Sequence, residues 1–138
     1  MERAEKLTAR DETGHFGEVI GIEHKPAPED MAVLEIPLGT RLCNRNGTIH
    51  GGVIMTLMDA AGLWAGAPAD GSPPRAATVS VTCNFLRGAQ LKDVDILRAT
   101  AHVVKRGRAL YFSSISVQAG ADGPIIASGQ GIYSHSTK

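Results

Sequence analysis

The sequence predicts an α+β domain in which one antiparallel sheet curves around a single central helix. Residues 51–66 are apolar on nearly every side, which is typical of a helix buried inside a protein. Residues 77–133 follow as strand-like runs separated by turn residues. A helix without a polar face has to be covered, and an antiparallel sheet can cover it by curling around it. With 138 residues, the chain fits one domain over residues 1–138.

The elements before the helix are short. Residues 1–15 are polar and charged, and we expect them to form a short helix or an N-terminal arm. Apolar runs at residues 17–23 and 31–36 predict two strands, and the prolines around them predict turns. A loop rich in Asn and Arg then leads to the helix, which is too short to span a membrane at about 15 residues.

About four strands joined by hairpins are predicted after the helix. Residues 77–85 alternate between apolar and polar with a period of two, and residues 94–104 and 109–119 continue the pattern around a turn at 105–108. A second turn at 120–123 leads to a last strand over residues 125–133. Gly129 and Gly131 within that strand predict a bulge or a close backbone approach.

Composition excludes several classes of partner. Lys plus Arg and Asp plus Glu are 14 each, so no net charge favours nucleic acid or an anionic membrane. The N-terminus is too charged for a secretory signal, and no apolar run is long enough to span a bilayer. Cys43 and Cys83 lack the spacing of a metal or redox motif. Cys83 lies among alternating apolar residues and is predicted to be a small buried hydrophobe, whereas for Cys43 an inert thiol is favoured and a nucleophile stays open. A cytoplasmic protein with a small-molecule partner is expected.

A polar loop leads into the N-terminus of the predicted helix. Asn44 begins this loop, and His50-Gly51-Gly52 ends it. The first N–H groups of a helix lack intrahelical partners and carry the positive end of the dipole, which suits the oxyanion that forms when a carbonyl is attacked. The alternative is an ordinary helix start with a capping His and flexible glycines.

Asp59 is the only ionisable residue between His50 and Asp70, and it lies in the middle of the apolar helix. A carboxylate in such a place has to be paired, hydrogen-bonded or functional, because burying it alone is costly. It is therefore a candidate general base. The alternative is a structural Asp that is hydrogen-bonded to a neighbouring strand or subunit.

The spacing of these two features predicts a site between subunits. Gly51 and Asp59 are eight residues apart, hence about 12 Å along a helix axis. One acyl carbon cannot contact both ends of that interval. If both groups serve one site, a second copy of the chain supplies one of them across a two-fold interface.

Asn44, His50-Gly51-Gly52 and Asp59, nine positions after the His, resemble the signature of hotdog-fold thioesterases of the phenylacetate-pathway (PaaI-like) group. The resemblance covers roughly residues 17–135, and it implies a long central helix wrapped by a curved sheet. It also implies hydrolysis of an aryl- or medium-chain acyl-CoA to the free acid and CoA, without a metal or redox cofactor. A homodimer or homotetramer is implied as the assembly.

The same resemblance implies roles for single residues. Asp59 would act as general base on water, or as nucleophile through an anhydride. The N–H of Gly51 would polarise the thioester carbonyl, and Gly52 beside it would contact the substrate. His50 and Asn44 would orient the thioester or the attacking group. Ser80 would help to place the water; it lies on the polar side of its strand, and an ordinary sheet serine is the alternative.

Several further side chains are candidates for substrate contacts. Arg87, Arg106 and Arg108 could meet the phosphates of CoA, although a solvated hairpin tip is the favoured interpretation for each of them taken singly. Trp64 could line the acyl pocket, or serve the core or an interface. His15, His24, His102 and His135 are scattered and show no metal-ligand spacing.

Two other functions compete with hydrolysis. One is a non-catalytic acyl-CoA binding or sensing protein that uses the same groove, although a pure binder gains little from a carboxylate beside the thioester. The other is a hotdog dehydratase or hydratase, which needs an acid and a base placed about an alkene. The HGG turn followed by Asp59 resembles the thioesterase pattern instead.

Overall fold

The computed structural model describes residues 15–136 of the chain. Within that range the elements run in this order: α1 (Phe16–Ile20), β1 (Glu23–Lys25), β2 (Met31–Pro37), α2 (Gly51–Ala65), β3 (Ala76–Phe85), β4 (Ile96–Arg106), β5 (Leu110–Ala119) and β6 (Ile125–His135). Short 3-10 turns occupy Thr40–Leu42 and Leu91–Asp93. The predicted arm at residues 1–15 lies, except for its last residue, outside the described residues.

The six strands form one antiparallel sheet in the order β1-β2-β4-β5-β6-β3. Hairpins join β4 to β5 and β5 to β6, as predicted. The expected hairpin between β3 and β4 is wrong, because β3 pairs with β6 at one edge while β4 lies beside β2. The segment between these two strands crosses from one side of the sheet to the other. This arrangement leaves β3 as a ten-residue edge strand.

Helix α2 packs on the concave face of this sheet and contacts five of its strands: β2, β3, β4, β5 and β6. Its buried side chains include Ile54, Leu57, Met58 and Ala61, none of which is more than 4% exposed. Each large apolar side chain buried in this way contributes about 1.5–3 kcal/mol of transfer free energy. The predicted buried helix inside a curved sheet is therefore confirmed. None of the helices in residues 15–136 has the length and apolar character to cross a membrane.

The predicted strand at residues 17–23 is wrong. Residues Phe16–Ile20 form α1 instead, and Gly21 ends this helix with a φ of 90°. That left-handed conformation costs little for glycine, and it lets the N–H of Gly21 donate to the carbonyls of Gly17 and Glu18. The strand is thereby displaced to Glu23–Lys25, immediately before Pro26.

Two glycines of β6 lie where the chain packs most closely. A Cβ on Gly129 would lie 1.8 Å from the carbonyl oxygen of Thr82, and one on Gly131 would lie 2.1 Å from the hydroxyl of Tyr133. The predicted close approach is confirmed, whereas the predicted bulge is absent there because both glycines pair in regular register. Irregularities occur instead at Thr78/Ser80, Val103/Lys105 and Val117/Gln118.

Candidate active site

The loop before α2 is folded back on itself by its own backbone. Cys43 and Ile49 form an isolated antiparallel bridge, the N–H of Asn44 donates to the carbonyl of Thr48 at 2.8 Å, and the N–H of His50 donates to Leu42 at 2.9 Å. Because opposed residues share a face, Asn44 and His50 lie on the side of the loop away from buried Ile49. Two of the predicted site residues therefore lie on the same side of the loop that leads into the helix.

The two ends of the Asn44 amide have different roles: its oxygen supports the loop, and its NH₂ group is an exposed donor. Its Oδ1 accepts from the N–H groups of Asn46 at 2.9 Å and Thr48 at 3.1 Å. These bonds form an Asx turn that fixes the loop. The Nδ2 group, by contrast, donates to none of the residues in the described range, so a substrate oxygen could accept from it.

His50 caps the helix with a defined tautomer. Its Nδ1 accepts from the N–H of Gly52 at 2.8 Å, which satisfies one of the unpaired donors at the helix start. A neutral imidazole that accepts at Nδ1 carries its proton on Nε2. The exposed ring therefore offers an N–H donor beside the helix terminus.

The N–H of Gly51 is the open donor of this terminus. Among residues 15–136 it has no acceptor, while the next N–H groups, of Gly52 and Val53, bond to His50. The ring of Phe85 covers Gly51, since a Cβ there would lie 3.4 Å from two of its ring atoms. A hydrogen-bond donor at the positive end of a fifteen-residue helix is suited to a carbonyl oxygen that gains negative charge.

Asp59 is half-buried, and a residue of the sheet holds its side chain in place. Its Oδ1 accepts from Thr78 Oγ1 at 2.7 Å, and Thr78 belongs to β3. A structural Asp bonded to a strand would make this same contact. However, Oδ2 accepts no hydrogen bond from any residue in the described part of the chain, and Asp59 lines an open cleft. One carboxylate oxygen is therefore fixed and the other is available.

Thr78, rather than Ser80, is the hydroxyl that reaches Asp59 within the chain. Thr78 pairs with Tyr133, which faces the helix, whereas a register shift leaves Ser80 opposite Ile132. Because neighbouring residues of a strand point to opposite faces, Ser80 lies on the face away from the helix. The sequence pattern assumed an unbroken alternation through residues 77–85, and the bulge at Val79 changes it.

Three hydroxyls from the sheet hold the middle of α2. Tyr133 donates to the carbonyl of Asp59 at 3.2 Å, Ser113 to that of Gly62 at 2.8 Å, and Tyr111 to that of Leu63 at 2.7 Å. Burial raises the pKa of Tyr111 to about 12, and burial and then the charge of Asp59 raise the pKa of Tyr133. Both phenols therefore remain neutral donors near pH 7. The three bonds thus fix the part of the helix backbone that carries Asp59 against the sheet.

The cleft that contains Asp59 has a volume of about 600 Å³. One wall is a single face of α2, and the other comes from α1, β1 and the loop after α2. The lining residues are His15, Phe16, Gly17, Glu18, Ile22, His24, Thr56, Asp59, Ala60, Leu63, Trp64 and Pro73. Trp64 thus lines the same cleft as Asp59. His24 joins it through tertiary packing alone, and burial lowers the pKa of its imidazole.

The arginines proposed for CoA phosphates lie elsewhere. The Arg106 guanidinium bonds to Asp30 at 2.8 Å and to the carbonyl of Gly66 at 3.4 Å, and it lies over the ring of Tyr111. These contacts stabilise the C-terminal end of α2. Arg87 and Arg108 are exposed on loops, and a phosphate contact by any of the three stays a prediction.

The two cysteines are free thiols. Burial raises the pKa of Cys83, which keeps it protonated near pH 7. Cys43 Sγ contacts the carbonyl of Gly39 at 3.5 Å. Neither thiol lines the cleft around Asp59.

The structure therefore divides the candidate site residues into two separate groups within one chain. Asn44, His50 and Gly51 belong to the loop and turn at the N-terminus of α2, whereas Asp59 lies at its middle, bonded to Thr78. The unbroken helix keeps the two groups about 12 Å apart along its axis, at 1.5 Å per residue. No single carbonyl can contact both within one subunit.

Comparison with known proteins agrees with this fold and motif. A family model described as the thioesterase superfamily matches residues 46–125. Mouse acyl-coenzyme A thioesterase 13 is 31% identical over 104 residues, which are 75% of this chain and 71% of that protein. The solved structure of zebrafish thioesterase superfamily member 2 has a TM-score of 0.75 at 26% identity, covering 96% of this chain and 94% of the other.

The PaaI protein from the phenylacetic acid degradation operon of E. coli shares the fold, with a TM-score of 0.73 at 23% identity over 96% of this chain and 91% of its own. The residues matched by the family model include both the HGG turn and the central helix. The chain therefore belongs to the thioesterase superfamily, as a hotdog-fold thioester hydrolase.

Proposed function

We propose that this protein hydrolyses an aryl- or medium-chain acyl-CoA to the free acid and CoA, with Asp59 as the catalytic carboxylate. The observation that supports this role most strongly is the state of Asp59, which has one oxygen fixed by Thr78 and one facing a cleft. The mouse relative is named an acyl-coenzyme A thioesterase, which supports CoA as the leaving group.

The reaction is proposed to need water alone. Asp59 takes a proton from water as the water oxygen bonds to the thioester carbon, and the carbonyl oxygen becomes an oxyanion near the N–H of Gly51. The C–S bond then breaks, the carbonyl re-forms, and the CoA thiolate takes the proton from Asp59. In the alternative route, Asp59 attacks the carbon itself, and the C–S bond breaks to release the CoA thiolate and leave an anhydride. Water then hydrolyses the anhydride to the free acid and the Asp59 carboxylate, and the proton that is left over from water goes to the thiolate. Neither route uses a metal or redox cofactor.

We infer that each active site combines Asp59 of one subunit with the HGG turn of a second. The exposed edge strand β3 supports this arrangement, because Val79, Phe85 and Leu86 on and just after it are 58%, 52% and 58% exposed. A long apolar edge with unpaired backbone groups favours pairing with another strand. Edge-to-edge pairing of two copies would form one continuous sheet.

Strand β3 contacts both groups of candidate site residues, so the way in which two β3 strands pair determines which groups of the two subunits face each other. Near its start Thr78 bonds to Asp59, and at its end Phe85 covers Gly51. A two-fold axis reverses the strand direction. If that axis passes between Val81 and Thr82, the Thr78 end of one subunit lies beside the Phe85 end of the other. Asp59 of one copy would then face the open N–H at the helix start of its partner.

The assembly is proposed to be a dimer or a pair of dimers. A cytoplasmic location, with no nucleic-acid or membrane partner, also stays a prediction from the sequence.

The test is release of the CoA thiol from a panel of aryl and aliphatic acyl-CoAs, comparing the wild-type protein with Asp59→Asn. We expect a loss of about 100-fold or more in kcat for the variant, with its folding retained. Asp93→Asn is the matched control, because Asp93 is an exposed carboxylate that lines none of the clefts around α2. Binding of acyl-CoA without cleavage by the wild type would favour a binding or sensing protein instead.

A further inference from the structure

The cleft around Asp59 continues along the helix toward a second cleft. On α2 it is lined by Thr56, Asp59, Ala60, Leu63 and Trp64, whose spacing of three or four residues places them on one face. From Asp59 toward the C-terminus this face is wholly apolar, whereas toward the N-terminus it continues with the hydroxyl of Thr56. An apolar acyl group whose carbonyl lies at Asp59 would therefore extend toward Trp64.

A second cleft of about 240 Å³ adjoins the first one. It lies between the C-terminal end of α2 and the start of β2, and its lining includes Met31, Val33 and Leu34. His24 and Trp64 are the two residues that line both clefts. The pair therefore stands between the cleft that holds Asp59 and the cleft beyond it.

The two rings of this pair contact each other directly. Their centroids are 4.3 Å apart, and their planes meet at 66°, so the imidazole packs edge to face against the indole. This is a favourable aromatic arrangement. Trp64 also packs against the core, which holds one side of the contact in place. His24 lies on β1, whose short three-residue strand pairs with β2.

We propose that the His24–Trp64 pair closes the far end of the acyl pocket and sets the length of the acyl group that the enzyme accepts. This inference rests on the function proposed above. It assigns the two rings as specificity-determining residues. The second cleft becomes the space that a longer chain occupies only when the pair is removed.

The helix geometry gives the expected limit. Trp64 follows Asp59 by five residues, which is about 7.5 Å along the helix axis. An extended carbon chain advances about 1.25 Å per methylene, for C–C bonds of about 1.52 Å at about 111°. The pocket between them therefore holds about six carbons, or one aromatic ring, before the pair is reached.

The experiment measures kcat/KM for straight-chain acyl-CoAs from butanoyl to hexadecanoyl, and for phenylacetyl-CoA. For the wild type we expect kcat/KM to fall by about 10-fold or more beyond roughly seven carbons, which are the carbonyl carbon and the about six that the pocket holds, since each unaccommodated methylene is costly in a closed pocket. In His24→Ala and in Trp64→Ala, the ratio of kcat/KM for dodecanoyl-CoA to kcat/KM for hexanoyl-CoA should rise by about 10-fold. His102→Ala, a His on β4 that lines neither cleft, should leave that ratio unchanged.

A parallel binding series separates this inference from the proposed hydrolysis. S-alkyl-CoA thioethers of the same lengths cannot be hydrolysed, and their Kd values report the pocket alone. If no thioester is cleaved but the thioethers show a length limit that His24→Ala removes, the proposed function fails and the pair's role stands. If thioesters are cleaved and neither series changes its length profile in the His24→Ala and Trp64→Ala variants, the role of the pair is refuted.

Discussion

At the scale of single residues, the hydroxyl of Thr78 is the group that holds the proposed catalytic carboxylate. It donates to Asp59 Oδ1 at 2.7 Å. A hydrogen bond to a charged group is worth about 1.5–3 kcal/mol, so Thr78→Val, which keeps the shape and removes the donor, should lower kcat by about 10-fold or more. Steady-state kinetics on the best acyl-CoA would measure this loss.

Ser80→Ala provides the comparison for Thr78→Val. Both positions are exposed hydroxyls on β3, but the register places Ser80 on the face opposite Thr78. We therefore expect a clearly smaller loss of kcat than for Thr78→Val. Equal losses in the two variants would contradict the assignment of Thr78 as the positioning residue for Asp59.

His50 has one observed contact and one proposed role, and substitutions can separate them. Its Nδ1 caps α2 through the N–H of Gly52, and its Nε2–H is proposed to contact the substrate. His50→Ala removes both, and loss of the cap should lower the free energy of unfolding by about 1 kcal/mol. His50→Ser restores a capping oxygen but is too short to replace the donor.

Thermal unfolding and kinetics would test this separation. We expect Tm to fall in His50→Ala and to recover in His50→Ser, while kcat stays low in both. Recovery of kcat together with Tm in the Ser variant would mean that His50 contributes only the cap.

At the scale of elements, the contact between α2 and the sheet depends on a glycine. A Cβ on Gly62 would lie 2.1 Å from the hydroxyl of Tyr133 and 2.8 Å from Ile115 Cδ1. Gly62→Ala should therefore destabilise the protein by about 1–3 kcal/mol, since the buried neighbours have to move. It should also disturb the bond from Tyr133 to the carbonyl of Asp59.

Urea unfolding would measure the stability change, with Gly39→Ala as the control. A Cβ on Gly39 meets no atom within 4 Å, and its φ of −155° is ordinary extended backbone. That variant should stay within about 0.5 kcal/mol of the wild type. A similar small change in Gly62→Ala would show that the helix can shift away from the sheet without cost.

At the scale of the whole molecule, the β3 edge is expected to hold two subunits together. Val79→Lys places a charge on this exposed apolar edge and should weaken the dimer, because charged side chains on an edge strand oppose pairing. Activity should fall with it, since each proposed site needs a residue from both copies. Sedimentation velocity and activity measured over a range of protein concentrations would follow both effects.

Val104→Lys is the matched control for the interface. Val104 on β4 is 66% exposed, compared with 58% for Val79, but it lies away from the β3 edge. We expect the mass and the activity of this variant to equal those of the wild type. Full activity of a monomeric Val79→Lys protein would refute the shared site.

The sequence by itself determined the central helix, the curved antiparallel sheet and the position of Asp59. These features depend on local patterns, because the apolar surface of residues 51–66 and the alternation of the later strands are each visible within about 15 consecutive residues. Helix spacing also predicted the separation of Gly51 from Asp59, since the rise per residue is constant.

Tertiary structure alone decided which hydroxyl reaches Asp59 and that His24 joins Trp64 in its cleft. A single bulge at Val79 reverses the faces of the residues that follow it, and alternation in the sequence contains no sign of that bulge. His24 and Trp64 are forty residues apart and meet only after β1 has paired with the sheet that encloses α2. Such contacts between distant segments depend on packing, which no local pattern records.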